Sequence, residues 1–141
     1  MRAVLQRARG ARVEVAGQIV GQFDGEGVVA LVGVAREDTV ADAQTVARKI
    51  AELRILTEER SPVEAGAPVL VISQFTLYGS TKKGRRPSWS ASAPGEVAEP
   101  LVQTVVEELR QRGVAVETGI FGAQMEVSLT NSGPFTVLVE T

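Results

Sequence analysis

Val28-Val29-Ala30-Leu31-Val32-Gly33-Val34 is an unbroken apolar run, and five residues on Thr39 opens the series Val40, Ala43, Val46, Ala47, Ile50 and Leu53. A continuous run of this kind fits a strand covered on both faces rather than one with a wet side. The series that follows recurs at spacings of three and four, the mark of a helix with one apolar stripe. Thr39 is placed to cap that helix, with Asp42 three residues later beside the free amides of the first turn. Upstream, Arg12-Val13-Glu14-Val15 alternates as a half-buried strand does, Ala16-Gly17-Gln18 offers a turn, and Ile19 to Phe23 returns. Asp24-Gly25-Glu26-Gly27 then reads as a break before the apolar run.

Downstream, Pro68 to Gln74 is a second buried strand, and Gly79 to Ala93 is a polar, basic loop rich in turn formers. A second helix is expected from about Gly95 to Arg112 on Leu101, Val102, Val105, Val106 and Leu109, stopped by Gly113. Pro100 suits only its first turn or a kink. Val114 to Glu117, Gln124 to Thr130 and Phe135 to Glu140 complete the strands. Two helices among strands clustered at both ends imply an α/β fold: mixed, mainly antiparallel sheets forming a barrel-like core closed by two main helices. At 141 residues and 44% hydrophobic, the chain is expected to be a single domain, 1–141.

Composition narrows the chemistry further. There is no cysteine and no histidine. Thiolate nucleophiles, Ser-His-Asp triads and histidine- or cysteine-bound zinc are therefore excluded. Catalysis must come from hydroxyls, carboxylates, lysines, backbone dipoles or the substrate itself. No metal site and no cofactor are expected. The apolar runs are far shorter than the roughly 20 residues that cross a bilayer, so the reading is a soluble, cytoplasmic protein without membrane contact. A net charge of −2 leaves room for a local basic patch only.

Three segments could carry chemistry. Ser73-Gln74-Phe75-Thr76-Leu77 lies where a buried strand gives way to a loop, the rim at which clefts form. Its hydroxyls and amide serve equally to satisfy a strand terminus. Asn131-Ser132-Gly133-Pro134-Phe135-Thr136 separates two strand-like runs and reads as a turn, with the isomer of the Gly-Pro bond left open. Lys82-Lys83-Gly84-Arg85-Arg86 packs four cations into five residues, either as solvated surface or as a phosphate-binding patch. Trp89 nearby is suited to stacking on a base or to anchoring the loop. Phe121 and Met125 read first as core. Glu96, Glu99, Glu107 and Glu108 read as a solvated helix face.

The Ser73–Leu77 and Asn131–Thr136 segments together resemble the paired signature of the D-aminoacyl-tRNA deacylases. Met1 to Arg7, Lys83 to Ser88, Val116 to Gly119 and Phe121 to Met125 are similar to further segments of that family, so the resemblance covers nearly the whole chain. One departure stands out: Thr57 to Pro68 is shorter than the usual stretch and lacks its Lys-Met-Asn segment. Phe135 also stands where the family often has valine.

The resemblance implies a homodimer with active sites at the subunit interface, acting on D-aminoacyl-tRNA at its 3′-terminal adenosine. Gly133 and Pro134 of one subunit, joined by a cis bond, would enter the partner's site and exclude L side chains. Glycine has nothing to exclude, so glycyl-tRNA would be cleaved too. Ser73, Gln74, Phe75 and Thr76 would form the catalytic segment, with the ribose 2′-hydroxyl helping to activate water and Thr76 positioning rather than attacking. Lys82, Lys83, Arg85, Arg86, Phe121, Met125 and Asn131 would contact substrate or tRNA. The competing readings are a non-catalytic tRNA-binding dimer and a small-molecule amide or imine hydrolase.

Overall fold

The computed structural model describes residues 1–141. Its frame is a long hairpin of β1 (Arg2–Val15) and β2 (Gln18–Gly33). The hairpin turns on Ala16 and Gly17, whose φ angles of 49° and 77° are both positive. That is the requirement of the two-residue turn that matches strand twist. The strands anticipated at Ile19–Phe23 and Val28–Val34 are one strand, β2. Between them Arg9 faces Glu26 while Ala11 faces Phe23, so β2 carries one extra residue. Gly25, at φ 73°, absorbs it as a bulge. The glycines bend the strand without ending it. β1 also starts ten residues before the expected Arg12.

Helix α1 (Val40–Glu52) follows, buried on Ala43, Val46, Ala47, Ile50 and Ala51. Asp42 accepts from the Thr39 amide and from its hydroxyl, each at 2.8 Å. The amide bond above all holds the Asp42 carboxyl down at about 2. The shortened segment contains an unanticipated helix, α2 (Pro62–Ala65), after a 3-10 turn at Thr57–Glu59. Ser61 and Glu64 cap α2 reciprocally, at 3.2 and 2.8 Å. β3 (Val69–Ser73) is buried until its last residue. Helix α3 (Gly95–Gln111) carries Pro100 near its start and ends where Gly113, at φ 83°, donates to the Arg110 carbonyl. β4 (Val116–Thr118) and β5 (Glu126–Glu140) close the chain.

The five strands form one sheet in the order β4-β3-β2-β1-β5. β1 pairs antiparallel with β2 and β5, and β3 pairs parallel with β2 and β4. The mixed α/β reading with long antiparallel ladders is correct. The barrel is not closed: β4 and β5 remain the two edges. The sheet does curl. Val28, Ala30, Val32, Val69 and Val71 face α1 and α3, while Val29, Leu70 and Ile72 face Val13 and Phe23 from the far half of the hairpin. The run that began the sequence reading is thus covered on both faces. No helix is long and apolar enough to cross a membrane.

Candidate active site

β3 leaves the sheet at Ser73. The Gln74 amide still donates to the Val32 carbonyl at 2.7 Å, and the chain then enters a single 3-10 turn, Phe75–Tyr78. Beside this exit lies a cavity of about 440 Å³. Ser73, Gln74 and Phe75 form one wall, and Phe121 and Met125 another. These five anticipated residues are therefore brought together by the fold. Not one of the 16 residues lining the cavity is ionisable. An adjoining cavity of about 280 Å³ shares Ser73 and Phe121 and adds Glu99.

Thr76 is outside the cavity lining, and its hydroxyl accepts from the Gln74 side-chain amide. Phe75 is 56% exposed and meets Trp89 edge to face, with ring centroids 5.5 Å apart. A β-carbon at Gly79 would collide with the Trp89 ring, so the indole lies flat against that backbone. Trp89 thus anchors the basic loop. Ser80 and Ser88 exchange backbone hydrogen bonds at 2.8 and 3.0 Å, making a small closed hairpin of the segment between them. Lys82, Lys83, Arg85 and Arg86 stand exposed on it.

Ser92 was not anticipated. It lines the cavity and donates to the Phe75 carbonyl at 3.4 Å. Nothing distinguishes it in a serine-rich stretch. On α3 the cavity is faced by Val102, which the sequence marks only as part of an apolar stripe, and by Ala98, which it does not mark.

Asn131, Gly133 and Pro134 lie elsewhere. The sequence reads Asn131–Thr136 as a turn between strands, yet β5 runs through it. Ala8 faces Asn131 and Gln6 faces Thr136, so two steps on β1 span five on β5. Ser132 to Phe135 is pushed out of the ladder as a wide bulge, and the Gly133–Pro134 peptide is cis. Arg7 fills the bulge: its Nε donates to the Ser132 carbonyl and its Nη2 to the Gly133 carbonyl, each at 2.9 Å. Its guanidinium lies 4.6 Å from the centre of the Phe135 ring. The Asn131 side-chain amide donates to the Arg7 carbonyl at 2.9 Å and to the Phe135 carbonyl at 3.2 Å. In the sequence Arg7 stands only as the end of the family-like opening segment, with no role assigned, although it shares a face of β1 with buried Ala3 and Leu5.

The register separates the two segments. Ser73 shares a row with Val32, Ala3 and Val139, while the bulge lies at the row of Arg7, Val28 and Val69. Three strand spacings and four residues intervene, about 20 Å along the sheet. Within one chain they lie diagonally apart, the bulge midway along edge strand β5.

This pairing of segments has known counterparts. The family model described as D-Tyr-tRNA(Tyr) deacylase matches residues 4–140. The chain belongs to that family. Proteins named D-aminoacyl-tRNA deacylase from Beutenbergia cavernae and Streptomyces coelicolor are each 61% identical to it over 140 residues, covering 99% of both chains. Among solved structures, a c-Myc DNA unwinding element binding protein superposes with a TM-score of 0.91 at 33% identity, covering 100% of this chain and 99% of its own. A probable eukaryotic D-amino acid tRNA deacylase superposes at 0.86, covering 98% of this chain and 97% of its own. At 19% identity that second likeness speaks for the fold alone. Membership of this deacylase family makes the chain a hydrolase.

Proposed function

We propose that this chain hydrolyses the ester joining a D-amino acid to the 3′-terminal adenosine of tRNA, as a homodimer whose sites each draw on both subunits. The observation that carries the composite site is the glycine at 133. Its φ is not positive, and a β-carbon built on it meets nothing within 4 Å. One chain alone has no need of glycine there. A second copy does, if the bulge enters its cavity.

The diagonal placement supports the same reading, because chiral selection requires Gly133 and Pro134 within a few ångströms of the substrate's α-carbon. A two-fold dimer brings the bulge of one copy to the Ser73 cavity of the other, and both sites form at once. Surface chemistry agrees with a covered face: Leu138 on edge strand β5 is 69% exposed, in the row of half-buried Val4 and Leu31.

In the mechanism, the cavity binds and orients. A neutral, largely apolar site of this size holds the terminal adenosine and excludes bulk water from the ester. The turn beginning at Phe75 presents the first amides of a helical turn, which lack partners within it and are donors suited to a developing oxyanion. The proton chemistry falls to water and the ribose 2′-hydroxyl. Gly133 and Pro134 of the partner subunit admit D and glycyl esters and block the side chain of L esters. Lys82, Lys83, Arg85 and Arg86 lie on the loop that Trp89 ties to Phe75 and meet the acceptor-stem phosphates. Asn131 acts from inside the bulge, holding its backbone.

The test is hydrolysis of D-tyrosyl-, L-tyrosyl- and glycyl-tRNA by the wild type and by Gly133→Ala, with chelator present. Wild type is expected to cleave the D and glycyl esters and spare the L ester. Gly133→Ala is expected to keep the wild-type melting temperature and lose at least about tenfold in D-ester cleavage, since a misplaced wall costs binding geometry at the reacting centre. Wild-type protein inert on all three esters would sink the proposal.

A further inference from the structure

We infer that Phe135 is a positioning residue for chiral selection, acting through Arg7; the inference rests on the proposed role of Gly133 and Pro134. Neither residue of that pair can fasten itself: glycine has no side chain and proline has no N–H. The segment Ser132–Phe135 is also out of the β1 ladder, so ladder hydrogen bonds do not hold it. What remains to fix the wall is the carbonyl oxygens, and Arg7 takes two of them, on Ser132 and Gly133.

Those two bonds lie in the guanidinium plane. They set its orientation within that plane but resist rocking out of it weakly. The Phe135 ring supplies the missing restraint: the guanidinium carbon lies over it, 4.6 Å from its centre. A planar cation and an aromatic face attract and define a stacking direction, which an aliphatic side chain of similar bulk does not. Phe135 itself cannot swing away: its carbonyl accepts from Asn131, and its ring packs on the helix-side core. The result is a chain of restraint from core to Phe135 to Arg7 to the Gly133 carbonyl, ending at the atoms that would meet an L side chain. Sequence gives no hint of this link, since Arg7 and Phe135 lie far apart in the chain.

The experiment compares Phe135→Leu, Phe135→Tyr and Arg7→Lys with wild type. The readout is the ratio of D- to L-tyrosyl-tRNA hydrolysis under enzyme excess, with melting temperature as the check on folding. Phe135→Leu is expected to lower the ratio by roughly threefold to tenfold, the worth of a partly exposed cation–π contact. Phe135→Tyr, which keeps the π face, is expected within about twofold of wild type on the same ground. Arg7→Lys, which keeps the charge but loses the two-carbonyl fork, is expected to lower the ratio as Phe135→Leu does. Should the leucine variant fail to fold, Phe135→Met, of similar bulk without a π face, takes its place and is expected to lower the ratio as Phe135→Leu would.

Equal ratios for the leucine and tyrosine variants would overturn the inference, reducing Phe135 to a space filler. Gly133→Ala separates the two ideas. If that change alters the ratio while the Phe135 pair does not differ, only the inference falls; if neither alters it, the chiral wall falls as well.

Discussion

Thr76 is the residue whose type most invites a nucleophilic role and whose surroundings least support one. Its hydroxyl is bonded to the Gln74 amide, a donor, and the cavity of about 440 Å³ beside Ser73 is lined by no ionisable group able to take its proton. Thr76→Ala should therefore lose about tenfold or less in D-ester cleavage, the scale of one neutral hydrogen bond. Loss on the order of 10⁴ or more, typical of a removed nucleophile, would return Thr76 to the chemistry. Kinetics of the purified variant decide it. At this scale the sequence was partly legible. Ser73, Gln74 and Phe75 could be placed at a rim because a polar group after four apolar strand residues has few other places to go. Arg7 could not be assigned a role, because its partners are carbonyls of a bulge that periodicity does not reveal.

Helix caps and bulges mark the difference between what local pattern states and what tertiary pairing decides. The cap of α1 was readable, and it gives a pH signature. Asp42 is held near 2 from an ordinary value of 3.8. A depressed carboxyl contributes stability that is complete above the unfolded value and is lost as pH falls through the folded one. Asp42→Asn should accordingly melt below wild type at pH 7, with the gap closing between about pH 4 and pH 2. A gap unchanged across that range, followed by circular dichroism, would show the carboxylate to be irrelevant to the cap. Helix α2 was readable too, from Ser61-Pro62-Val63-Glu64, a capping box with proline at the first helical position. Its shortness hid it. The bulges at Gly25 and at Ser132–Phe135 were not readable, since the residues that signal a turn are those that let a strand bend and continue.

At the scale of the whole molecule the two signatures lie about 20 Å apart along the sheet, and the proposed site draws them from two chains. Mixing tests this directly. A variant disabled in the cavity wall, Gln74→Ala, and one disabled in the bulge, Gly133→Ala, should each be slow alone. Refolded together as mixed dimers, they should recover activity, because one of the two sites then combines an intact wall with an intact bulge. A mixture no faster than the mean of its parents would mean that each chain builds its site unaided. The fold class was legible from the alternation of strand and helix patterns, but the open edges were not. Whether a curled sheet closes depends on the number and stagger of its strands, which no local pattern such as that of Val114 to Glu117 announces.

The cavity beside Ser73 has a pharmacological corollary. With neither thiol nor imidazole in the chain and no ionisable group in the lining, it offers electrophilic warheads no thiolate or imidazole to capture. Blocking such a site calls for a neutral ligand that fills the cavity, its potency resting on shape and hydrogen bonds and staying level across physiological pH.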